Sequence, residues 1–191
     1  MIEHGTIQET SVSQGKDGKL RAVTIWSLCD TVPAPCDQAW YLGGPITAEG
    51  LLPQTGDNAN SVSGAFAVHP AGDRFVITPL DAALGMSVID PDGTSHPIVD
   101  GKVLPTPGKV IVSAGDPTGN VGDFALFLVD PARRTRAPVP APAEAKGWAA
   151  ATISPDGSIW AVTAGHTLWH SPDGHSWTKN VLKKGSARLR G

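Results

Sequence analysis

The chain has 191 residues and a formal net charge of −3, enough for one domain with a sizeable core or for part of a larger one. Only 17% of the residues are charged, while 22 are glycine and 17 proline, a composition that argues against long helices and for short strands joined by tight turns. The acidic balance leaves no electrostatic footprint for nucleic acid, and no apolar run approaches the roughly 18 to 20 residues of a membrane-spanning helix.

In chain order, Met1-Ile2-Glu3-His4-Gly5 lacks the basic and apolar regions of a signal peptide. That leaves a cytoplasmic protein, or an export signal outside this chain. Ile7–Val12 reads as an early strand that could pair with the last repeat and close a ring. Gln14-Gly15-Lys16-Asp17-Gly18 is a turn, and strand-like runs follow at Leu20–Trp26 and Ala39–Leu42. Between those runs, Cys29 and Cys36 flank a proline-bearing loop whose ends could approach within the roughly 4.4 to 6.8 Å a disulfide requires. A bridge is the expectation, with two reduced buried cysteines as the alternative; an extracytoplasmic or secreted location is favoured if the bridge exists. Two thiols with no companion ligand do not complete a zinc site, and no metal or other cofactor is expected.

Further along, the chain repeats. Met86–Ser95, Leu126–Thr135 and Thr167–Ser176 align, with Pro91, Pro131 and Pro172 spaced 40 and 41 residues apart. Each copy runs an apolar strand into Asp or Ser, then Pro, a turn, and a Ser or Thr opening the next strand. A second element, Phe66–Ile77, matches Ala151–Val162, and its intervening copy is expected at Gly115-Asp116-Pro117-Thr118-Gly119-Asn120. Proline presets φ at the second turn position, Asp or Ser bonds the backbone ahead, and glycine accepts positive φ. Units of about 40 to 45 residues with several short strands have the size of propeller blades. The expected fold is therefore an all-β β-propeller of about four blade-like repeats at roughly 7–55, 60–103, 104–145 and 146–185, followed by a basic C-terminal tail over 186–191. The ring could be small and closed, or part of a larger propeller.

The segment Ser154-Pro155-Asp156-Gly157 followed by Ser158–Val162 resembles the turn and strand of Tol-type and WD-repeat-like bacterial propellers. Leu168–Thr178 resembles the Asp-box hairpin of sialidase-like repeat proteins, through Ser171, Asp173, Gly174, Ser176 and Trp177, with a loop one residue shorter than usual. In that family the motif locks an outer turn, so the resemblance implies a fold and no activity. A sialidase site would further imply an arginine triad, a tyrosine nucleophile and an acid/base aspartate. The single tyrosine, Tyr41, lies inside a strand, and Arg133, Arg134 and Arg136 sit at an outer turn where charge is usually solvated.

His166 and His170 lie about 13 Å apart along a strand and cannot share an ion; His175 is a turn residue. Asp90, Asp92, Asp130, Asp156 and Asp173 are explained by turn capping. Asp116, Asn120 and Asp123 occupy a loop that departs from the repeat, and they are the binding-loop candidates. Trp148 and Trp160 read as blade core, and Trp169 and Trp177 as hairpin packing. No residue is assigned a catalytic role. The expected function is a non-catalytic module binding a protein or glycan through a loop face. A fragment of a propeller glycoside hydrolase, or a structural module completing its ring as a homodimer, are the alternatives. A thiol assay under denaturing, non-reducing conditions should find neither Cys29 nor Cys36 reactive; two reactive thiols would remove the bridge.

Overall fold

The structure is a computed structural model that describes residues 6–28, 37–43, 46–47, 50–51, 62–63, 66–79, 85–114, 125–145, 147–163 and 167–180. Cys29 and Cys36 lie outside the described residues, as does the loop bearing Asp116, Asn120 and Asp123.

Among the described residues the fold is all-β, and it is built from four four-stranded sheets. The first joins β1 (Thr6–Gln14), β2 (Leu20–Leu28), β3 (Asp37–Gly43) and β6 (Val62–Ser63), with a small hairpin of β4 (Ile46–Thr47) and β5 (Gly50–Leu51) between β3 and β6 in the chain. The second is a meander of β7 (Phe66–Ala71), β8 (Arg74–Pro79), β9 (Ser87–Ile89) and β10 (Ser95–Pro97). The third holds β12 (Val110–Ala114), β13 (Ala125–Asp130) and β14 (Thr135–Val139), and takes β11 (Val99–Asp100) in parallel at its β14 edge. The fourth is again a meander, of β15 (Trp148–Ile153), β16 (Ile159–Thr163), β17 (Leu168–Ser171) and β18 (Thr178–Asn180). Neighbouring sheets meet at their inner strands, β1 against β7, β8 and β7 against β12, and β12 against β15. Successive four-stranded units arranged this way are propeller blades.

The early strand does not join the last repeat. Thr6–Gln14 pairs antiparallel with β2 instead, from Thr6 opposite Ser27 to Gln14 opposite Leu20. The turn at Gly15–Gly18 makes that partner local, and closing a short loop costs far less chain entropy than bridging the whole array.

A repeated turn sets where each second strand begins. Gly18, Gly72, Gly108 and Gly157 have φ of 76°, 70°, 84° and 90°, and β2, β8, β12 and β16 start just after them. Glycine is needed there because a side chain disfavours positive φ. The third of these turns lies at Thr106–Lys109, closed by the Lys109 N–H donating to the Thr106 carbonyl at 3.2 Å. It does not lie at Gly115–Asn120, which falls after β12. The overlooked signal is Gly108-Lys109-Val110-Ile111-Val112, a counterpart of Gly157-Ser158-Ile159-Trp160-Ala161. Before Gly108, where the other sheets have their first strand, residues 101–106 carry no strand. β12 is therefore the inner edge of the third sheet, and β11 brings it to four strands from the other side.

Period-two alternation gives each sheet a face toward the next sheet and a face toward the previous one. Val23 of β2 packs with Phe75, Ile77, Val68 and Ile89 of the second sheet. Val76 and Val88 on the opposite face of that sheet pack with Val112, Ala114 and Val129 of the third. Ile111, Leu126 and Leu128 on the third sheet's other face meet Trp148, Ile159, Ala161 and Trp169 of the fourth, and Val103 from the strandless segment joins them. Each fully buried aliphatic or aromatic side chain in these layers contributes about 1.5–3 kcal/mol.

The Gly157 turn is also pressed against the chain leading into β12. A Cβ at Gly157 would come within 3.0 Å of the Pro105 carbonyl oxygen and 3.1 Å of the Thr106 Cα, whereas one at Gly72 would meet nothing within 4 Å. Gly72→Ala should therefore lose only the backbone preference, about 1 kcal/mol. Gly157→Ala adds a backbone collision and should lose about 2–3 kcal/mol. Urea unfolding of the two variants beside the parent checks the ordering.

Candidate functional site

The glycine turns bring β1–β2, β7–β8 and β15–β16 hairpin ends and the start of β12 to one face of the molecule. The Ser13 hydroxyl donates to the Gly72 carbonyl, and Gly157 lies against Pro105 and Thr106. Turns between third and fourth strands reach the same face. Their aspartates are held by backbone and side-chain donors.

Asp173 is the clearest case. It accepts from the Ser176 N–H at 2.6 Å, the His175 N–H at 2.8 Å, the Ser176 hydroxyl at 2.9 Å and the Ser171 hydroxyl at 3.1 Å. The Ser171 oxygen in turn accepts from the Gly174 N–H at 2.8 Å, and Gly174 takes a φ of 78°. These donors, the Ser176 N–H foremost, hold the Asp173 carboxyl far below the ordinary carboxylate range. Trp177 donates from its indole N–H to the Pro140 carbonyl at 3.0 Å and lies 4.8 Å from the Trp148 ring, tying the hairpin to the segment after β14. The side-chain oxygens of Ser171, Asp173 and Ser176 all bond within the turn itself. Asp156 repeats the pattern on a smaller scale, accepting from the Ser158 N–H and hydroxyl, both at 2.9 Å.

Asp90 and Asp130 differ, because cations reach them. Asp90 binds Arg74 at 2.6 Å, Arg134 of the third sheet at 3.0 Å and His96 at 3.3 Å. Arg134 makes its contact from a backbone φ of 57°, a conformation uncommon for a non-glycine residue. Asp130 is buried and binds Lys109 at 2.7 Å, while accepting from the N–H groups of Ala132 and Arg133 at 3.1 Å each. Burial pushes the Asp130 carboxyl up, but the Lys109 bond and the two backbone donors outweigh it and leave it below the ordinary range. The arginines grouped at 133–136 are thus not uniformly solvated. Arg134 clamps Asp90, and Arg136 pairs with Asp100 at 2.7 Å with its guanidinium 4.8 Å from the Phe127 ring centre. Arg133 is the exposed member, with 81% of its side chain accessible.

Beside these pairs the turn face holds a groove of about 520 Å³, lined by Lys102, Val103, Leu104, Thr106, Lys109, Asp130, Ala132 and Arg133. A second hollow of about 360 Å³ shares Lys109 and Ala132 with it and extends toward Lys16, Asp73 and Arg74. Three cations surround the first groove, and its one carboxylate, Asp130, is already engaged by Lys109. Leu104, 59% exposed, adds an apolar contact at the rim. Neither spacing nor the repeat pointed to this groove. Its floor comes from the strandless segment 101–106, which repeat alignment passes over.

The inner edges of the sheets frame a smaller space of about 250 Å³ lined by His69, Pro70, Val110, Ile111, Ala151, Thr152 and Ile153. His69 lies 3.3 Å from the Thr78 hydroxyl, and burial lowers its pKa. Among the described residues no three His, Cys, Asp or Glu side chains are grouped to hold a metal ion. Trp148 and Trp169 are buried in the core, whereas Trp160 is only half-buried and stacks on His170, with ring centres 4.4 Å apart. The expectation of Trp160 as core fails because its strand parity turns it away from the third sheet.

No protein-family model matches the chain, and no curated protein matches it. Among solved structures, one match is the crystal structure of HIRA(644-1017), at 10% identity and a TM-score of 0.41, over 93% of this chain and 55% of that one. The chain thus spans about half the length of that neighbour. So low a score carries no weight for architecture or activity; the propeller-type arrangement is read from the four sheets themselves.

Because the Asp130 pKa is lowered on folding, its stabilisation is full above the unfolded value of about 3.9 and is lost as pH falls through the folded value. Asp130→Asn should cost about 2 kcal/mol at pH 7, and less in acid. Urea midpoints of the parent and variant at neutral pH and near pH 3 should converge; a gap independent of pH would contradict the ion pair.

Proposed function

We propose that the chain is a non-catalytic binding module that takes an acidic, extended segment of a protein in the groove on its turn face. The observation that carries this reading is the lining of that groove: Lys102, Lys109 and Arg133 around a single, already paired carboxylate. On a chain of net charge −3, such a local concentration of cations is a property of the site. Lys102 and Arg133 are exposed; Arg133 reaches Asp130 only through its Nε at 3.8 Å, and its exposed guanidinium can still meet a carboxylate with two parallel hydrogen bonds. Leu104 beside them offers an apolar contact to the same ligand.

Rigid sheets beneath the groove support recognition without closure. Val103 anchors the segment 101–106 in the core, so the lining residues are held before a ligand arrives.

Calorimetric titration of the chain with an oligoglutamate peptide should give binding that weakens as salt is raised. The double variant Lys102→Glu, Arg133→Glu should bind at least tenfold more weakly, equivalent to about 1.4 kcal/mol. A neutral oligosaccharide and a sulfated one serve as comparisons. Stronger binding of either glycan than of the peptide would replace the proposed ligand class, and an unchanged double variant would remove the groove as the site.

A further inference from the structure

The packing between sheets has a direction, and following it to the ends of the array identifies a partner. In three successive interfaces the onward face of one sheet covers the rearward face of the next. The onward residue Val23 covers Phe75 and Ile77, Val76 covers Val112, and Ile111 covers Ile159 and Ala161. Two faces of this series have no four-stranded sheet packed on them among the described residues. The onward face of the fourth sheet presents Trp160, Val162, Leu168 and His170, all half-buried, with exposed Ala150 and Thr152 opposite them on β15. The rearward face of the first sheet presents Thr10, Val12, Leu20 and Thr24 around Ala22. Val12 is 48% exposed and Leu20 39% exposed, so the fourth sheet of the same chain does not cover them.

We infer that the onward face of the fourth sheet packs on the rearward face of the first sheet of a second copy, and reciprocally, so that two chains close an eight-sheet ring. An onward face takes a rearward face at every interface within the chain, and among the described residues the rearward face left without a sheet neighbour belongs to this same chain. Eight blades lie within the range over which propellers close. The two contacts are identical and related by a two-fold axis, which makes the assembly finite, whereas a head-to-tail contact that did not close would grow into a filament. A four-stranded face of about five residues per strand covers about 300 Å², so the four faces used in the ring bury about 1,200 Å², the lower end of a stable interface. The surface chemistry suits the join: Trp160, Val162 and Leu168 supply the apolar area, Val12 and Leu20 receive it, and the threonines ring both faces without bringing a charge into the contact. This ring is independent of the groove on the turn face.

The test is the mass in solution, by light scattering at micromolar concentration, of the full chain and of two variants. The parent chain should have the mass of two chains of 19.8 kDa. Val12→Lys, on the rearward face, and Val162→Lys, on the onward face, should each run at the mass of one chain while keeping the parent far-UV spectrum. A parent that runs as a monomer, or as an assembly larger than two, overturns the ring. So do folded variants that both remain dimeric. Should either variant unfold, hydroxyl-radical footprinting of the parent decides. Trp160 should be protected when the chain is concentrated and become reactive on dilution, and equal reactivity at both concentrations overturns the ring.

Discussion

The second and third sheets each have two faces to bury, because β8 and β12 place apolar side chains on both. In β8, Phe75 and Ile77 face the first sheet while Val76 faces the third; in β12, Val112 faces the second sheet while Ile111 faces the fourth. A strand with one polar face could settle on a core as half of a sandwich. Strands apolar on both sides must lie between two neighbours, and here those neighbours are the sheets before and after, stacked in series. The serial core, the gathering of turns on one face and the uncovered faces at the two ends all follow from that requirement.

The polar residues serve the same arrangement at its rim. Asp173, Asp156 and Asp92 are acceptors closed on their own turns, which holds the hairpin ends in a fixed shape with little reliance on packing. Asp90 and Asp130 add cations, Asp130 beside its two backbone donors, and Arg134 carries one of those bonds across the join between the second and third sheets. On the same face Lys102, Lys109 and Arg133 stand around a groove. The chemistry that ties blades together on this face is thus continuous with the chemistry available to a ligand.

The third sheet is where the pattern bends. It lacks a strand before its glycine turn, and the segment 101–106 instead carries Val103 into the core between the third and fourth sheets and passes close to Gly157. Repeat spacing could not find this, because the proline turns at 91, 131 and 172 keep their distances whether or not a first strand is present. The glycine turn at Gly108 was legible in Gly108-Lys109-Val110-Ile111-Val112, yet the glycine-rich loop at 115–120 has the stronger composition signal and drew the alignment to itself. Trp160 differs for a related reason. Its strand alternates as expected, but its parity turns it away from the third sheet, and parity relative to a neighbouring sheet decides whether a tryptophan is core.

By itself the sequence determined the all-β class, the blade-sized units and the turn chemistry of Ser171–Trp177, since these depend on local alternation and on residues within a few positions of one another. Tertiary structure decided what depends on neighbours distant in the chain. It paired β1 with β2 and not with the last repeat, moved β11 to the outer edge of the third sheet and brought Lys102, Lys109 and Arg133 around one groove. It also left the first and fourth sheets each with one face that carries no further sheet among the described residues. Period and turn residues specify a blade, but only packing specifies which face of a blade has something to pack against.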